Sequence, residues 1–210
     1  MDKYKITFET WNKVASIYQD RFMDLELYND TFDLFCELID KKNPAILEIG
    51  CGPGNITRYI SSVRPDFKIS AIDVSPNMID RAQKNNPAVD CTIMDCRDIN
   101  TITGKFDGII CGFCIPYLSM DDSAKLLKDS FHLLNATGIL YFSTIQGDYD
   151  HSGFEVASTG DSAYVYYYSE AHFRKELIKN GFELIHLIQK DFPKSNGQIE
   201  NTQIFIARKS

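Results

Sequence analysis

The sequence predicts a doubly wound α/β fold, a parallel sheet covered by helices, and three observations predict it. The run Ile46-Leu47-Glu48-Ile49 is short and apolar, as a strand buried on both faces must be, and it stops in a turn with glycine at 50, 52 and 54. A second apolar run, Phe67 to Ile72, ends in Asp73, roughly twenty residues on. Phe106 to Cys111 and Ile139 to Thr144 repeat the strand pattern, with helix-spaced apolar residues between them.

In chain order, Phe8, Trp11, Ala15, Tyr18 and Phe22 fall three or four apart, the stripe of an amphipathic helix. A second helix is expected from about Asn29, with Asp30 or Thr31 near its cap, through Phe32, Phe35, Leu38 and Ile39. Both precede the first strand, so residues 1–43 are expected to form a helical cap on a single domain spanning 1–210. After the glycine turn, a helix through Ile56, Tyr59, Ile60 and Val63 must end before Pro65. Ser75 caps the next helix and Pro76 takes its first position, where a missing N–H costs nothing. Val89 to Met94 reads as the third strand. Ala124 to Leu134 reads as a helix closed by the turn Asn135-Ala136-Thr137-Gly138, ahead of the fifth strand at Ile139. From Gln146 to about Ser162 the composition turns to Gly, Ser, Asp and His. The segment 146–168 is therefore expected to be an insertion on the ligand edge of the sheet, a place for substrate specificity, with Tyr164 to Tyr168 alternating faces if it is a strand. Ser169 to Asn180 reads as a helix that Gly181 closes, and two final strands, Phe182 to Asp191 and Asn201 to Arg208, are joined by the turn-rich 192–197.

The chemistry gathers at the strand tips. Glu48 ends an otherwise apolar strand, where an unpaired carboxylate is costly to bury, so it needs a partner at the strand's carboxyl end. That is where open α/β sheets bind ligands, and an acid at the tip of the second strand, Asp73, can accept from a ribose diol. A dinucleotide fingerprint fits poorly: it needs glycine at 55 or 57, and Asn55 and Thr57 stand there. A phosphate-cradling P-loop is excluded, because no Gly-Lys-Ser/Thr follows the turn.

Glu48-Ile49-Gly50-Cys51-Gly52-Pro53-Gly54 and Ala71-Ile72-Asp73-Val74-Ser75-Pro76-Asn77-Met78 together resemble the first and second motifs of the class I S-adenosylmethionine-dependent methyltransferases. The resemblance implies a Rossmann-like, seven-stranded sheet with an antiparallel last strand and S-adenosyl-L-methionine as cofactor. It implies that the glycine loop carries the methionine part, that Asp73 holds the ribose hydroxyls, and that Val74 and Met78 pack near the adenine. Asp95-Cys96 is similar to the third motif, a carboxylate and a backbone N–H for the adenine edge, with Asp98 close enough to compete for the role. The stretch Trp11 to Tyr18 is similar to segments that fold over the cofactor, so Tyr18 is expected in a lid and Arg21 beside the cofactor's carboxylate. The candidate cofactor-binding set is Tyr18, Arg21, Glu48, Gly50, Gly52, Asn55, Asp73, Val74, Met78, Asp95, Cys96 and Cys111. Many members carry histidine where this chain has Pro116 or Tyr117, so a histidine base is not expected at that point.

Composition narrows the partners. A net charge of -7 over 210 residues, with no strongly basic run, argues against nucleic acid or an anionic membrane as the main partner. There is no apolar stretch of transmembrane length and no signal-peptide start, so a cytoplasmic protein is expected. Six cysteines make no disulfide framework here. Cys111-Gly112-Phe113-Cys114 has the form of a redox C-x-x-C, yet the helix is expected to begin too late to stabilise a thiolate, and Cys91 with Cys96 is too widely spaced for a zinc pair. The reading is therefore methyl transfer to a small-molecule acceptor, with no metal and no nucleic acid. A protein methyltransferase and a non-catalytic cofactor-binding module are the alternatives, and Tyr117, Tyr167 or His151 would take a proton if the acceptor needs to lose one.

Overall fold

Ile46, Leu47 and Ile49 are almost fully shielded from solvent in the strand β1 (Ala45–Ile49), an interior strand of the sheet that is hydrogen-bonded on both sides. In the computed structural model, which describes residues 2–156, 160–194 and 197–210, the chain begins with helices α1 (Lys3–Phe22) and α2 (Asn29–Leu38). After β1 come α3 (Asn55–Val63), β2 (Lys68–Asp73), α4 (Pro76–Asn85), β3 (Asp90–Ile93) and β4 (Phe106–Cys111). Then follow α5 (Met120–Leu133), β5 (Leu134–Ile145), β6 (Gly153–Val156), β7 (Ser162–Val165), α6 (Glu170–Lys179), β8 (Phe182–Pro193) and β9 (Ile199–Lys209).

Seven strands form one sheet in the order β3-β2-β1-β4-β5-β9-β8, and only β9 runs antiparallel to its neighbours. The doubly wound sheet with its antiparallel last strand and helical cap is thus as expected. Strand order reverses between β1 and β4, which opens a crevice at their carboxyl ends. Successive residues feed opposite faces. Leu47, Ile109, Leu140, Phe142 and Phe205 pack under α5 and α6 with Leu126, Leu127, Phe173 and Leu177. Ile46, Ile110, Tyr141, Ile204 and Ile206 pack under α2 and α3 with Phe32, Phe35, Ile56 and Ile60. Each such side chain contributes about 1.5–3 kcal/mol by leaving water.

Three local expectations need correction. Neither Asp30 nor Thr31 caps α2: Tyr28 is the N-cap residue and makes no side-chain cap bond, while the Thr31 hydroxyl donates back to the Tyr28 carbonyl at 2.7 Å and meets the Tyr141 hydroxyl at 3.0 Å. The turn expected at 135–138 is instead part of β5. Leu134 already pairs with Phe106, and an irregularity with Thr137 at φ 61° resets the register before Gly108 meets Ile139. The stretch after Gln146 is not an open loop. It folds as the β6–β7 ribbon, tied to α1 where Thr7 Oγ1 accepts from the Tyr164 N–H at 2.9 Å and Thr10 donates to the Ser162 carbonyl at 2.7 Å. Of this stretch 157–159, and of the expected turn at 192–197 residues 195–196, lie outside the described residues. No helix among the described residues is long and apolar enough to cross a membrane.

Candidate active site

Gly50 enters the turn after β1 at φ +70°, a left-handed backbone, and a Cβ added there would stand 2.8 Å from the Cβ of Cys114. Only glycine lets β1 and the loop after β4 approach this closely. Gly54, also left-handed at φ +83°, is the N-cap residue of α3. From the end of α4, Asn85 donates to the Pro53 carbonyl at 2.8 Å and Asn86 to the Gly54 carbonyl at 3.0 Å, so the loop is clamped from behind. Nothing in the sequence marked this asparagine pair.

A cavity opens above this turn at the carboxyl ends of β1, β2 and β4. Gly50, Gly52, Asp73, Val74, Met78, Asp95 and Cys96 line it from the strand tips, and Trp11 and Tyr18 line it from α1. Asp73 is largely enclosed. Its Oδ2 accepts from the Gly52 N–H at 2.9 Å and its Oδ1 from the Ser75 N–H at 2.8 Å. Burial raises its pKa while these backbone donors hold it down. Each oxygen keeps a further lone pair for a ligand. Asp95 is opposed by burial too, yet the Arg97 guanidinium, 2.5 Å away, holds its carboxyl below the ordinary range. Asp98 is exposed and lies outside the cavity lining, whereas Asp95 is part of it.

A second cavity adjoins the first. Trp11, Tyr18, Phe113 and Tyr117 line both, while Phe22, Tyr28, Phe192, Glu200 and Thr202 line only the second. The shared wall is a set of edge-on rings, with Trp11 5.6 Å from Tyr18 and 5.1 Å from Tyr117. Phe113 sits at φ 61°, where a bulky residue is strained, and its N–H is held by Ser143 Oγ at 2.8 Å. The Trp11 Nε1–H is buried and has no partner among the described residues. An unpaired donor of this kind costs about 1–3 kcal/mol, which a ligand acceptor beside the ring would offset.

Four residues of the expected set lie elsewhere. Glu48 shares its strand face with Ile46, so it points toward α3, where the Thr57 hydroxyl donates to its Oε2. Its Oε1 is buried without a partner among the described residues, and burial pushes the carboxyl up to about 8. Cys111 is packed in the core below α5 on the face of Ile109. Asn55 lines the second cavity rather than the first. Arg21 is exposed, its guanidinium 5.1 Å from the Phe22 ring and 6.0 Å from Phe192, and it lines neither cavity. The expected proton acceptors fare no better: His151 is exposed and lines neither cavity, Tyr167 donates to Glu155 outside both, and burial holds Tyr117 well above its ordinary value.

The thiols do not form a redox pair. All six cysteines are free, the Cys114 thiol donates to Cys96 Sγ at 3.8 Å, and that contact together with burial raises the Cys96 thiol well above its ordinary value. No group of three His, Cys, Asp or Glu that could hold a metal ion occurs among the described residues.

Residues 46–138 match the family model described as a methyltransferase domain. A putative methyltransferase, 235L, of Invertebrate iridescent virus 6 is 33% identical over 112 residues, 53% of this chain and 40% of that protein. The malonyl-[acyl-carrier protein] O-methyltransferase of Bacillus anthracis is 36% identical over 101 residues, 47% of this chain and 36% of that protein. The chain thus spans less than two thirds of the length of these curated relatives. Among solved structures, N-methyltransferase NodS from Bradyrhizobium japonicum WM9, in complex with S-adenosyl-L-homocysteine, superimposes with a TM-score of 0.72 at 16% identity over 99% of both chains. Magnesium protoporphyrin IX methyltransferase from Synechocystis PCC 6803, with bound S-adenosylmethionine, gives 0.71 at 17% identity over 100% of this chain and 98% of that one. The resemblance read from the two glycine-loop and Asp73 motifs is borne out, and the fold is that of the class I methyltransferases.

Proposed function

We propose that this chain, with its methyltransferase-domain match and class I fold, transfers the methyl group of S-adenosylmethionine to a small-molecule acceptor, the first cavity holding the cofactor and the second the acceptor. The observation that carries the reading is Asp73, a carboxylate braced by two backbone N–H groups at the tip of β2, with lone pairs left for a ribose diol. Val74, Met78 and Met94 offer an apolar surface for the adenine, and Asp95 with the Cys96 N–H faces its polar edge. The backbone at Gly50 and Gly52 leaves room for the methionine part, with Trp11 and Tyr18 as the cover.

When bound, the cofactor supplies an electrophilic sulfonium methyl, so the hard chemistry belongs to it. The protein's part is to exclude water and to hold the acceptor's lone pair in line with that methyl. Tyr117, held protonated by burial, is no base at neutral pH, and the acceptor must present its own free pair. Among the described residues no cation lines the first cavity, which leaves the cofactor's carboxylate to backbone donors and to solvent. A small acceptor is supported by the ring-walled form of the second cavity, and a cytoplasmic setting by the six free thiols.

Calorimetric titration of the purified chain with S-adenosylmethionine tests the reading, with NADH and NAD as controls. Micromolar binding is expected, weakened about tenfold or more in Asp73→Asn because one charged acceptor becomes neutral. Clear nicotinamide binding without S-adenosylmethionine binding would overturn it.

A further inference from the structure

The second cavity has an unusual chemistry for its size. Trp11, Tyr18, Phe22, Tyr28, Phe113 and Tyr117 supply ring surface, and among the described lining residues the one acidic or basic side chain is Glu200. Glu200 and Thr202 are two apart on β9 and so share a face. Lys194 pairs with Glu200 at 2.7 Å, but it lines the groove on the outer side of Glu200 and not the cavity. Lys194 also pairs with Glu155 at 3.2 Å, so two carboxylates share one ammonium and the cluster keeps a charge of about -1. Both carboxylates help raise the pKa of Tyr117, after burial, which means their field reaches the shared wall of the two cavities. Aromatic rings with a carboxylate beside them form a receptor for an organic cation. Two of the rings already meet a cation from outside, since the Arg21 guanidinium lies 5.1 Å from the Phe22 ring and 6.0 Å from that of Phe192.

We infer that the acceptor cavity takes a protonated amine, an ammonium group beside an apolar body, with Glu200 as the residue that selects it. This rests on the methyltransferase reading. An anionic acceptor finds no cation among the described lining residues, and a neutral alcohol leaves the excess carboxylate charge unused. Bound as the cation, the amine releases one proton to water before methylation, because only a free nitrogen pair can form the new N–C bond. The electrons of the broken S–C bond stay on sulfur, and the charge lost there reappears on the methylated nitrogen, inside the same ring of aromatic faces.

Trp11 is the chain's only tryptophan and lines both cavities, so its fluorescence reports occupancy without any turnover. The full chain is titrated with phenethylamine, a cation at neutral pH, and with phenethyl alcohol and hydrocinnamate, its neutral and anionic counterparts. S-adenosylhomocysteine is titrated separately by calorimetry. Phenethylamine is expected to bind about tenfold tighter than the alcohol and to exceed the carboxylate by more, as a charge-assisted contact to a carboxylate should. Glu200→Gln is expected to cut the preference over the alcohol to about threefold or less, and Lys194→Met, which leaves two carboxylates unshared, to increase it. Equal or tighter binding of the alcohol or the carboxylate, no binding of phenethylamine, or an unchanged preference in either variant overturns the inference. Should Glu200→Gln fail to fold, Lys194→Met decides alone. S-adenosylhomocysteine binding without amine preference sinks this inference only, whereas its failure to bind overturns the methyltransferase reading and the acceptor role with it.

Discussion

The two cavities that meet at Trp11, Tyr18, Phe113 and Tyr117 are built from different materials. The first is made at strand tips by backbone and short side chains, each anchored to the next: Asp73 to Gly52 and Ser75, Asp95 to Arg97, and the glycine turn to Asn85 and Asn86. The second is made mostly by rings, carried on α1, α2, β8 and the loop after β4, with Glu200 and Thr202 added from β9, so its parts come from distant stretches of the chain. A site of the first kind reads its ligand through positions the sheet itself fixes, so it cannot change without disturbing the fold. A site of the second kind reads its ligand through side chains that can be exchanged on a fixed frame.

The hardest test of that contrast is Gly50→Ala. The added methyl meets Cys114 and the left-handed φ of +70° opposes any side chain, at a cost of about 1–2 kcal/mol before the clash is counted. Calorimetry is expected to show S-adenosylmethionine binding weakened on the order of a hundredfold, because the turn must move by more than a hydrogen bond tolerates. Pairing the change with Cys114→Gly relieves the clash but not the backbone, so recovery should be partial. Full binding by Gly50→Ala alone would show that the first cavity is as adaptable as the second.

A smaller and more selective effect is expected from Phe22→Leu. Phe22 lines only the second cavity, and its ring packs at a tilt against Tyr18, 4.6 Å between centroids. Loss of one ring face should weaken phenethylamine binding about threefold to tenfold, the range of an aromatic or cation–π contact, in the Trp11 fluorescence titration. Cofactor affinity measured by calorimetry should change less than about twofold, since no strand-tip anchor is touched. Equal losses in both would mean that the cavities respond as one.

The same contrast explains what could be read in advance. Gly50, Gly52, Asp73, Val74 and Met78 were legible because each sits at a fixed offset from the end of a strand, and strand ends converge by the topology alone. Glu48 and Cys111 are also at strand tips, but β1 and β4 are buried on both faces, so an apolar pattern does not say which face a given residue feeds. Arg21 failed for a related reason. It is one residue from Phe22 on α1, about 100° around the helix, which turns it to solvent while Phe22 turns to the cavity. Glu200 carried no signal, because its meaning depends on Trp11 and Tyr28, more than a hundred residues away, and no local periodicity records that meeting.

The mildest expected effect concerns the acid behind the glycine turn. Glu48 has an ordinary carboxyl pKa of 4.5 in the unfolded chain and about 8 in the folded one, with burial the first cause and the Thr57 hydroxyl opposing it. The folded protein therefore binds more protons than the unfolded chain between these values, and stability falls as pH rises through that window, then levels off. Glu48→Gln keeps an acceptor for Thr57 and the shape of the side chain but carries no charge to bury. Its thermal unfolding midpoint should match the wild type near about pH 4, exceed it by a margin that grows toward about pH 8, and hold that margin above it. The cofactor's affinity should stay within about twofold throughout, because Glu48 faces α3 and not the cavity. A variant that lost cofactor binding while keeping its fold would place Glu48 in the first cavity's machinery after all, and would move the boundary between the backbone-built site and the core beneath it.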